Sequence, residues 1–307
     1  MVLTTLASNT NPPWSWNLLN DIRDMFSYTF MVNAFRAGTI VAVTASVVGW
    51  FMVLRKQTFA GHTLSVAAFP GAAGATLLGI SATIGYFTSC IVAALVIALG
   101  SRPSRSRGFS DESAVVGTVQ AFVLACGYLF AVLYKGLLSG VNSQLFGFAF
   151  GVTTEQVMAL AVVGVLVLGI TAVIGRPLLF SSVDVDVARA RGVGARALGI
   201  VFMVVLGAAA AEASQITGAL LVFALLVMPA ATAQRLTPRP IAGIALSVVI
   251  SVAVTWAGLA TAYYTSYPNG FCITSFAFGG FLVANLVTMQ LRRKSWTPLA
   301  DVAAAHA

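Results

Sequence analysis

Long apolar runs alternate with short polar segments along most of the chain. Each run approaches the roughly 20 residues that a helix needs to cross the hydrocarbon of a bilayer. The runs lie at residues 31–54, 63–80, 84–100, 114–134, 156–175, 197–215, 216–233, 241–264 and 271–290. This pattern predicts an all-α polytopic membrane protein with nine transmembrane helices, or eight if one run is short or re-entrant.

The composition indicates that lipid is the solvent of this chain. Of the 307 residues, 59% are hydrophobic and 8% are charged, whereas soluble domains carry roughly 25% charged residues. We therefore expect three parts: an N-terminal interfacial or disordered segment at 1–30, a transmembrane domain at 31–291 and a cytoplasmic tail at 292–307. The first segment does not resemble a signal peptide, because it lacks a basic start and a long apolar core.

The distribution of basic residues predicts the orientation. If the C-terminus is cytoplasmic and the helices alternate in direction, fourteen of the 17 Lys and Arg residues fall in cytoplasmic loops or in the tail. This asymmetry follows the positive-inside rule and makes the N-terminus extracytoplasmic. The net charge of +8 is spread over five such segments, which favours contact with anionic lipid over binding of nucleic acid.

Sequence motifs of several enzyme classes are missing. The chain contains no GxxxxGK[ST], no HExxH and no GxSxG, so we expect no ATP binding by a phosphate loop and none of the hydrolase chemistry of those motifs. Cys90, Cys126 and Cys272 lack CxxC spacing, and we interpret them as small buried apolar residues. We therefore predict a transport protein that is not an enzyme and binds no cofactor.

The segment at residues 181–199, SSVDVDVARARGVGARALG, lies between the fifth and sixth apolar runs and has mixed charge. Its two acidic residues precede its three basic residues: Asp184, Asp186, Arg189, Arg191 and Arg196. The helix dipole favours acidic residues near the start of a helix and basic residues near its end, so this order suits a short helix. Gly192 would end that helix. The segment is either a docking element on the cytoplasmic face or a plain solvated connector.

Four stretches of the sequence resemble one known family. They are VLRKQTFAGHTLSVAAFPG at 53–71, DESAVVG at 111–117, DVDVARARGV at 184–193 and ITGALLVFALLVMPAATAQRL at 216–236. In this order they resemble the permease subunits of ATP-driven importers of zinc, manganese or iron(II). The fourth stretch is the most specific of them.

The resemblance implies a fold, partners and a mechanism. The fold would be that of a metal-type ABC importer permease in the cytoplasmic membrane, as a homodimer that moves a divalent metal inward by alternating access. A separate ATPase subunit and a metal-binding extracytoplasmic solute-binding protein would be its partners. A coupling helix at about 183–196 would dock on the ATPase, with these contact residues: Asp184, Asp186, Ala188, Arg189, Arg191 and Gly192. The alternatives are a secondary transporter without an ATPase, and the same fold carrying a non-metal or chelated cargo.

The resemblance also directs attention to His62. The family motif carries an Asp at this point and a His four residues later, and residues four apart share one face of a helix. Here His62 stands at the Asp position and Val66 at the His position, with Ser65 on a different face. A single imidazole favours zinc over manganese. Three interpretations stay open: a transient metal ligand in the path, a gate or hydrogen-bonding residue for another cargo, and a structural hydrogen bond to a backbone carbonyl.

Glu212 is the carboxylate that falls clearly within an apolar run. An ionisable group in a span is costly and normally faces a cavity. We interpret Glu212 either as an outer-gate carboxylate that attracts a cation or as a side chain that extends to the outer interface.

Small residues and prolines in the same stretches predict close helix packing along the path. Gly71 and Ala75 form a small-xxx-small pair that lets two helices approach, and a proline frees a backbone carbonyl within its helix. The residues assigned to packing or to the path are Ser65, Val66, Pro70, Gly71, Gly218 and Pro229.

Overall fold

The computed structural model describes residues 18–100, 108–133, 147, 149–183, 194–219, 221–265 and 267–304. This part of the chain is helical and contains no β-strand, as the apolar pattern predicts. The helices are α1 (Leu18–Ser27), α2 (Thr29–Leu54), α3 (Thr58–Leu77), α4 (Ala82–Gly100), α5 (Gly108–Leu133), α6 (Thr154–Val183), α7 (Ala195–Thr217), α8 (Val222–Leu236), α9 (Pro240–Tyr264) and α10 (Asn269–Ala304), with a 3-10 turn at Ala149–Gly151 before α6.

Helices α2 to α10 correspond one to one to the nine apolar runs. Seven of them are long and apolar enough to cross a membrane, so the chain is a multi-pass membrane protein. The other two are α3, which carries more polar residues, and α8, whose 15 residues extend only about 22 Å at 1.5 Å per residue. The run that we allowed to be short is therefore the one at α8.

Several helix ends differ from the predicted bounds. Helix α3 begins at Thr58 rather than at 63, so His62 lies inside a helix rather than in front of one. Helix α6 continues to Val183, because apolar runs reveal only the part of a helix that is in lipid. Helix α10 runs on through the residues predicted as a separate tail. Within the segment at 1–30, residues 18–27 form α1, and residues 1–17 lie outside the described part.

Among the described connections between helices, the turn between α2 and α3 has a regular hydrogen-bond pattern. The Lys56 amide donates to the Val53 carbonyl oxygen at 3.1 Å, and the Gln57 amide donates to the Met52 carbonyl oxygen at 3.0 Å. These two bonds form a Schellman motif, whose residue after the helix cap adopts the left-handed conformation. Lys56 takes this position with a φ of 58°. The turn therefore fixes the point at which α3 starts.

Helices α2 and α7 lie at the centre of the bundle, and α5 lies at its edge. In the most apolar window of each helix, 67% of the residues of α2 and 61% of those of α7 are buried, against 11% in α5. The exposed residues of α5 include Phe122, Leu129 and Val132. An outer surface made of such side chains suits contact with acyl chains rather than with water.

Glycines allow the closest helix contacts. A Cβ atom added to Gly49 on α2 would lie 2.0 Å from the Leu226 carbonyl oxygen on α8, and one added to Gly71 on α3 would lie 2.2 Å from the Gly85 carbonyl oxygen on α4. Ala75 borders the same crossing, because a Cβ atom on Gly85 would lie 2.6 Å from the Ala75 Cβ atom. The small pair Gly71 and Ala75 thus lies where α3 meets α4.

Candidate functional site

His62 lies in the second turn of α3 and faces α8. Its ring is 5.1 Å from the Phe223 ring, centre to centre, with an interplanar angle of 71°. The side chain is partly exposed, while its Nδ1 atom is buried and has no hydrogen-bond partner in the described part of the chain. The aromatic contact thus holds an imidazole whose Nδ1 atom makes no hydrogen bond to the described residues.

The two predicted neighbours of His62 on α3 offer it no metal ligand in this structure. Val66, one turn further along α3, is buried, and the Ser65 hydroxyl donates to the Gly61 carbonyl oxygen at 2.9 Å. Among the residues described, no three His, Cys, Asp or Glu side chains form a group that could hold a metal ion. A metal ion bound by His62 would therefore complete its coordination from outside this group of residues.

A polar contact beside His62 was not foreseen from the sequence. The Thr63 hydroxyl donates to the Gln120 Oε1 atom on α5 at 3.1 Å. Thr63 is fully buried, so this bond ties the first turns of α3 to α5. The signal in the sequence was a lone Gln in the apolar run at 114–134.

Glu212 lies in a different helix interface. The residue is 0% exposed, and neither carboxyl oxygen has a hydrogen-bond partner among the described residues. A Cβ atom added to Gly164 on α6 would lie 3.2 Å from Glu212 Oε1 and 3.0 Å from Thr44 Oγ1 on α2. The carboxyl thus sits where α2, α6 and α7 meet, whereas the contact of His62 runs to α8. This burial does not fit a side chain that extends to the outer interface.

The break between α7 and α8 depends on a glycine. Gly218 adopts a φ of 78° directly after α7, a conformation that side chains with a Cβ atom rarely take. Pro229 is buried inside the short α8, and Pro70 is buried inside α3. The two prolines therefore lie in the two helices that are not among the seven long apolar spans, and Gly218 lies in the break that precedes one of them.

Arg55 forms a junction of three elements at the end of α2. Its Nη1 donates to the Ser182 hydroxyl oxygen at 3.3 Å, and its Nε donates to Gln57 Oε1 at 3.2 Å. The guanidinium carbon lies 5.5 Å from the centre of the Phe202 ring. Sequence reasoning assigned Arg55 only to the orientation of the chain and missed these contacts, because Ser182 and Phe202 are distant along the chain.

The residues predicted to contact an ATPase belong to the connection between α6 and α7. Asp184, Asp186, Ala188, Arg189, Arg191 and Gly192 lie outside the described residues. The structure does place the helices on either side of them, since α6 ends at Val183 and α7 begins at Ala195.

Known proteins resemble this chain over most of its length. The manganese transport system membrane protein MntC of Halalkalibacterium halodurans is 29% identical over 79% of this chain and 82% of its own. The chelated iron transport system membrane protein YfeC of Yersinia pestis is 30% identical over 84% of this chain and 83% of its own. Among solved structures, PsaBC from Streptococcus pneumoniae in complex with Fab matches with a TM-score of 0.77 and 25% identity, over 87% of this chain and 95% of the matched chain.

The model of one protein family matches residues 27–288, which span α2 to nearly the end of the apolar part of α10. This match confirms the resemblance drawn from the four sequence stretches, and with it the prediction of a membrane transport subunit that leaves ATP hydrolysis to another chain. The chain belongs to the ABC 3 transport family.

Proposed function

We propose that this chain is the permease of an ATP-driven importer that moves a divalent transition metal inward across the cytoplasmic membrane, with zinc as its cargo. The observation that carries the proposal is the imidazole of His62, partly exposed and with Nδ1 unpaired, within a helix of an otherwise apolar bundle. An ionisable side chain at such a position normally faces a transport path.

The choice of metal follows from the ligand type. Imidazole nitrogen suits zinc better than it suits manganese, which prefers oxygen ligands. Relatives of this chain are named for manganese and for chelated iron, and their names make these two cargoes the competing candidates. The Asp ligand of the family motif would favour manganese, and this chain has His62 in its place.

A homodimer would complete the path. A partly exposed imidazole facing acyl chains would be costly, since charged or polar groups inside the bilayer are disfavoured by several kcal/mol. A second copy placed against α3 and α8 would cover His62 and bring two imidazoles to one path. The path would open alternately to the two sides, with a solute-binding protein delivering the metal outside and an ATPase acting at the connection between α6 and α7.

The proposed path leaves out Glu212, which stays a separate prediction. Its contacts belong to the meeting of α2, α6 and α7, and the carboxyl is sealed from the surface. An outer gate would need a carboxyl that a cation can reach.

Uptake by the purified complex in liposomes tests the proposal. The permease, its ATPase and its binding protein would be assayed with zinc, manganese and iron(II), with and without ATP. We expect ATP-dependent zinc uptake that is lost in His62→Ala, with ATP hydrolysis retained. The matched control is His306→Ala, the chain's other histidine, which should transport normally.

Two results would contradict the proposal. Metal uptake that continues without the ATPase would indicate a secondary transporter. ATP hydrolysis without uptake of any of the three metals would indicate that the fold carries a chelate or another cargo.

A further inference from the structure

The contacts of Arg55 reach three separate elements. Ser182 belongs to the last turn of α6, Phe202 belongs to the first half of α7, and Gln57 belongs to the turn between α2 and α3. We call these four residues the Arg55 junction. One planar group at the end of α2 therefore contacts both the end of α6 and the first half of α7.

The chemistry of the junction requires arginine. A guanidinium can stack on an aromatic ring and donate hydrogen bonds from its edge in fixed directions at the same time. The ammonium of a lysine is a single compact charge, so it cannot keep the Phe202 contact together with both hydrogen bonds. Arg55 is also partly buried, which strengthens these contacts relative to those of an exposed side chain.

The junction lies between two parts of the molecule that the proposed function assigns to different tasks. Ser182 and Phe202 belong to the two helices that flank the connection where the ATPase would act. Arg55 itself belongs to the Schellman turn, from which α3 starts at Thr58, and His62 follows in the second turn of α3. A shift of the ends of α6 and α7 would reach α3 through this turn.

We propose that Arg55 is the positioning residue that transmits movement of α6 and α7 to α3, and so couples ATP hydrolysis to the state of the path at His62. The proposal rests on the proposed function, because it takes the connection between α6 and α7 as the point at which the ATPase acts. Arg55 does not contact the cargo and acts through α3.

The test measures coupling rather than activity alone. In the reconstituted complex, metal uptake and ATP hydrolysis would be recorded together for the unaltered chain and for Arg55→Gln, Arg55→Lys and Arg239→Gln. Arg239 is the matched control, because it is an exposed arginine in the turn before α9, and its variant removes the same charge. Assembly with the ATPase is checked by size-exclusion chromatography.

We expect Arg55→Gln to assemble and to hydrolyse ATP, but to move at least about fivefold less metal per ATP, in the range of coupling free energies between distant sites. Arg55→Lys should lie between Arg55→Gln and the unaltered chain, and Arg239→Gln should transport normally. A normal ratio of metal to ATP in Arg55→Gln would overturn the proposal. An equal loss in Arg239→Gln would overturn it too, because the effect would then follow from net charge.

Two further variants keep the test decisive if Arg55→Gln does not assemble. Ser182→Ala and Phe202→Leu each remove one contact of the junction and leave Arg55 in place, so each should lower the ratio partly with assembly intact. Normal coupling in both would refute the proposal. Failure of the proposed function has a different signature, since the unaltered chain would then show no ATP-dependent uptake or no association with the ATPase.

Discussion

His62 and Glu212 are ionisable side chains within helices of the bundle, and the structure gives them different surroundings. His62 is partly exposed beside Phe223 with Nδ1 unpaired, while Glu212 is fully enclosed near Thr44 and Gly164. A metal ion can reach a partly exposed imidazole more easily than a carboxyl that is sealed from water. The proposed transport path therefore uses His62, and the contacts of Glu212 in this structure are those of helix packing.

Substitution of Glu212 separates packing from ion attraction. A Gln side chain has nearly the same shape as a Glu side chain and carries no charge. We therefore expect the Glu212→Gln variant to reach the same level in the membrane and to take up metal at the same rate as the unaltered chain. Ala leaves a cavity, and Glu212→Ala should lower stability by about 2–3 kcal/mol, as truncation of buried side chains does. Metal uptake and thermal unfolding in detergent are the measurements. Uptake that falls equally in both variants, with normal stability, would instead support a gate carboxylate.

The backbone conformation of Lys56 leads to a prediction about stability. A residue with a Cβ atom in the left-handed conformation is less favourable than Gly by about 1–2 kcal/mol, and Lys56 has a φ of 58°. We expect Lys56→Gly to raise the unfolding temperature and the β-branched Lys56→Val to lower it. Lys56→Asn should lie near Lys56→Gly, because Asn tolerates this conformation. A higher unfolding temperature in Lys56→Val than in Lys56→Gly would contradict the Schellman geometry.

Pairs of helices meet through glycines, and these crossings set the distances within the bundle. Gly49 faces the backbone of α8, and Gly71 faces the backbone of α4. In lipid, helices associate mainly through van der Waals packing, so small residues at a crossing determine how closely two backbones approach. The crossing of α2 with α8 also sets the position of Phe223, the neighbour of His62.

A methyl group added at Gly49 tests the crossing. Its carbon would lie 2.0 Å from the Leu226 carbonyl oxygen, and overpacking of this kind costs about 1–3 kcal/mol. We expect Gly49→Ala to lower the unfolding temperature and to slow metal uptake. Gly279→Ala is the control, since a Cβ atom there would meet nothing within 4 Å. Equal behaviour of the two variants would refute close packing at Gly49.

The complete bundle has a buried centre formed by α2 and α7 and an apolar outer surface on helices such as α5. The sequence predicts that the apolar helices alternate in direction and that the basic segments lie at one end of the bundle. We expect that end to be cytoplasmic, with the N-terminus on the other side of the membrane.

Thiol labelling tests this orientation. In a variant without the three native cysteines, His306→Cys should react with a membrane-impermeant maleimide only after the cells are opened, since the tail would be cytoplasmic. Ser8→Cys should react in intact cells. The reversed pattern would show that the positive-inside assignment is wrong for this chain.

The sequence by itself determined the class of the protein and the positions of its apolar helices. Nine apolar runs became nine helices, because in a bilayer every backbone polar group must be satisfied within its own segment, so an apolar run of sufficient length has to be a helix. The sequence left open whether one run is short, and only the structure identified α8 as the short helix. The family followed from four local stretches.

Only the tertiary structure decided which side chains work together. Glu212 lies within an apolar run and His62 lies directly before one, and the sequence made both of them candidate metal ligands. The structure separated them, because the direction in which a helical side chain points depends on which neighbouring helices cover that face. The Arg55 junction was hidden for the same reason: Ser182 and Phe202 come close to Arg55 only when α6 and α7 pack against α2. Local composition governs where a helix forms in lipid, but contacts between distant segments govern what its side chains meet.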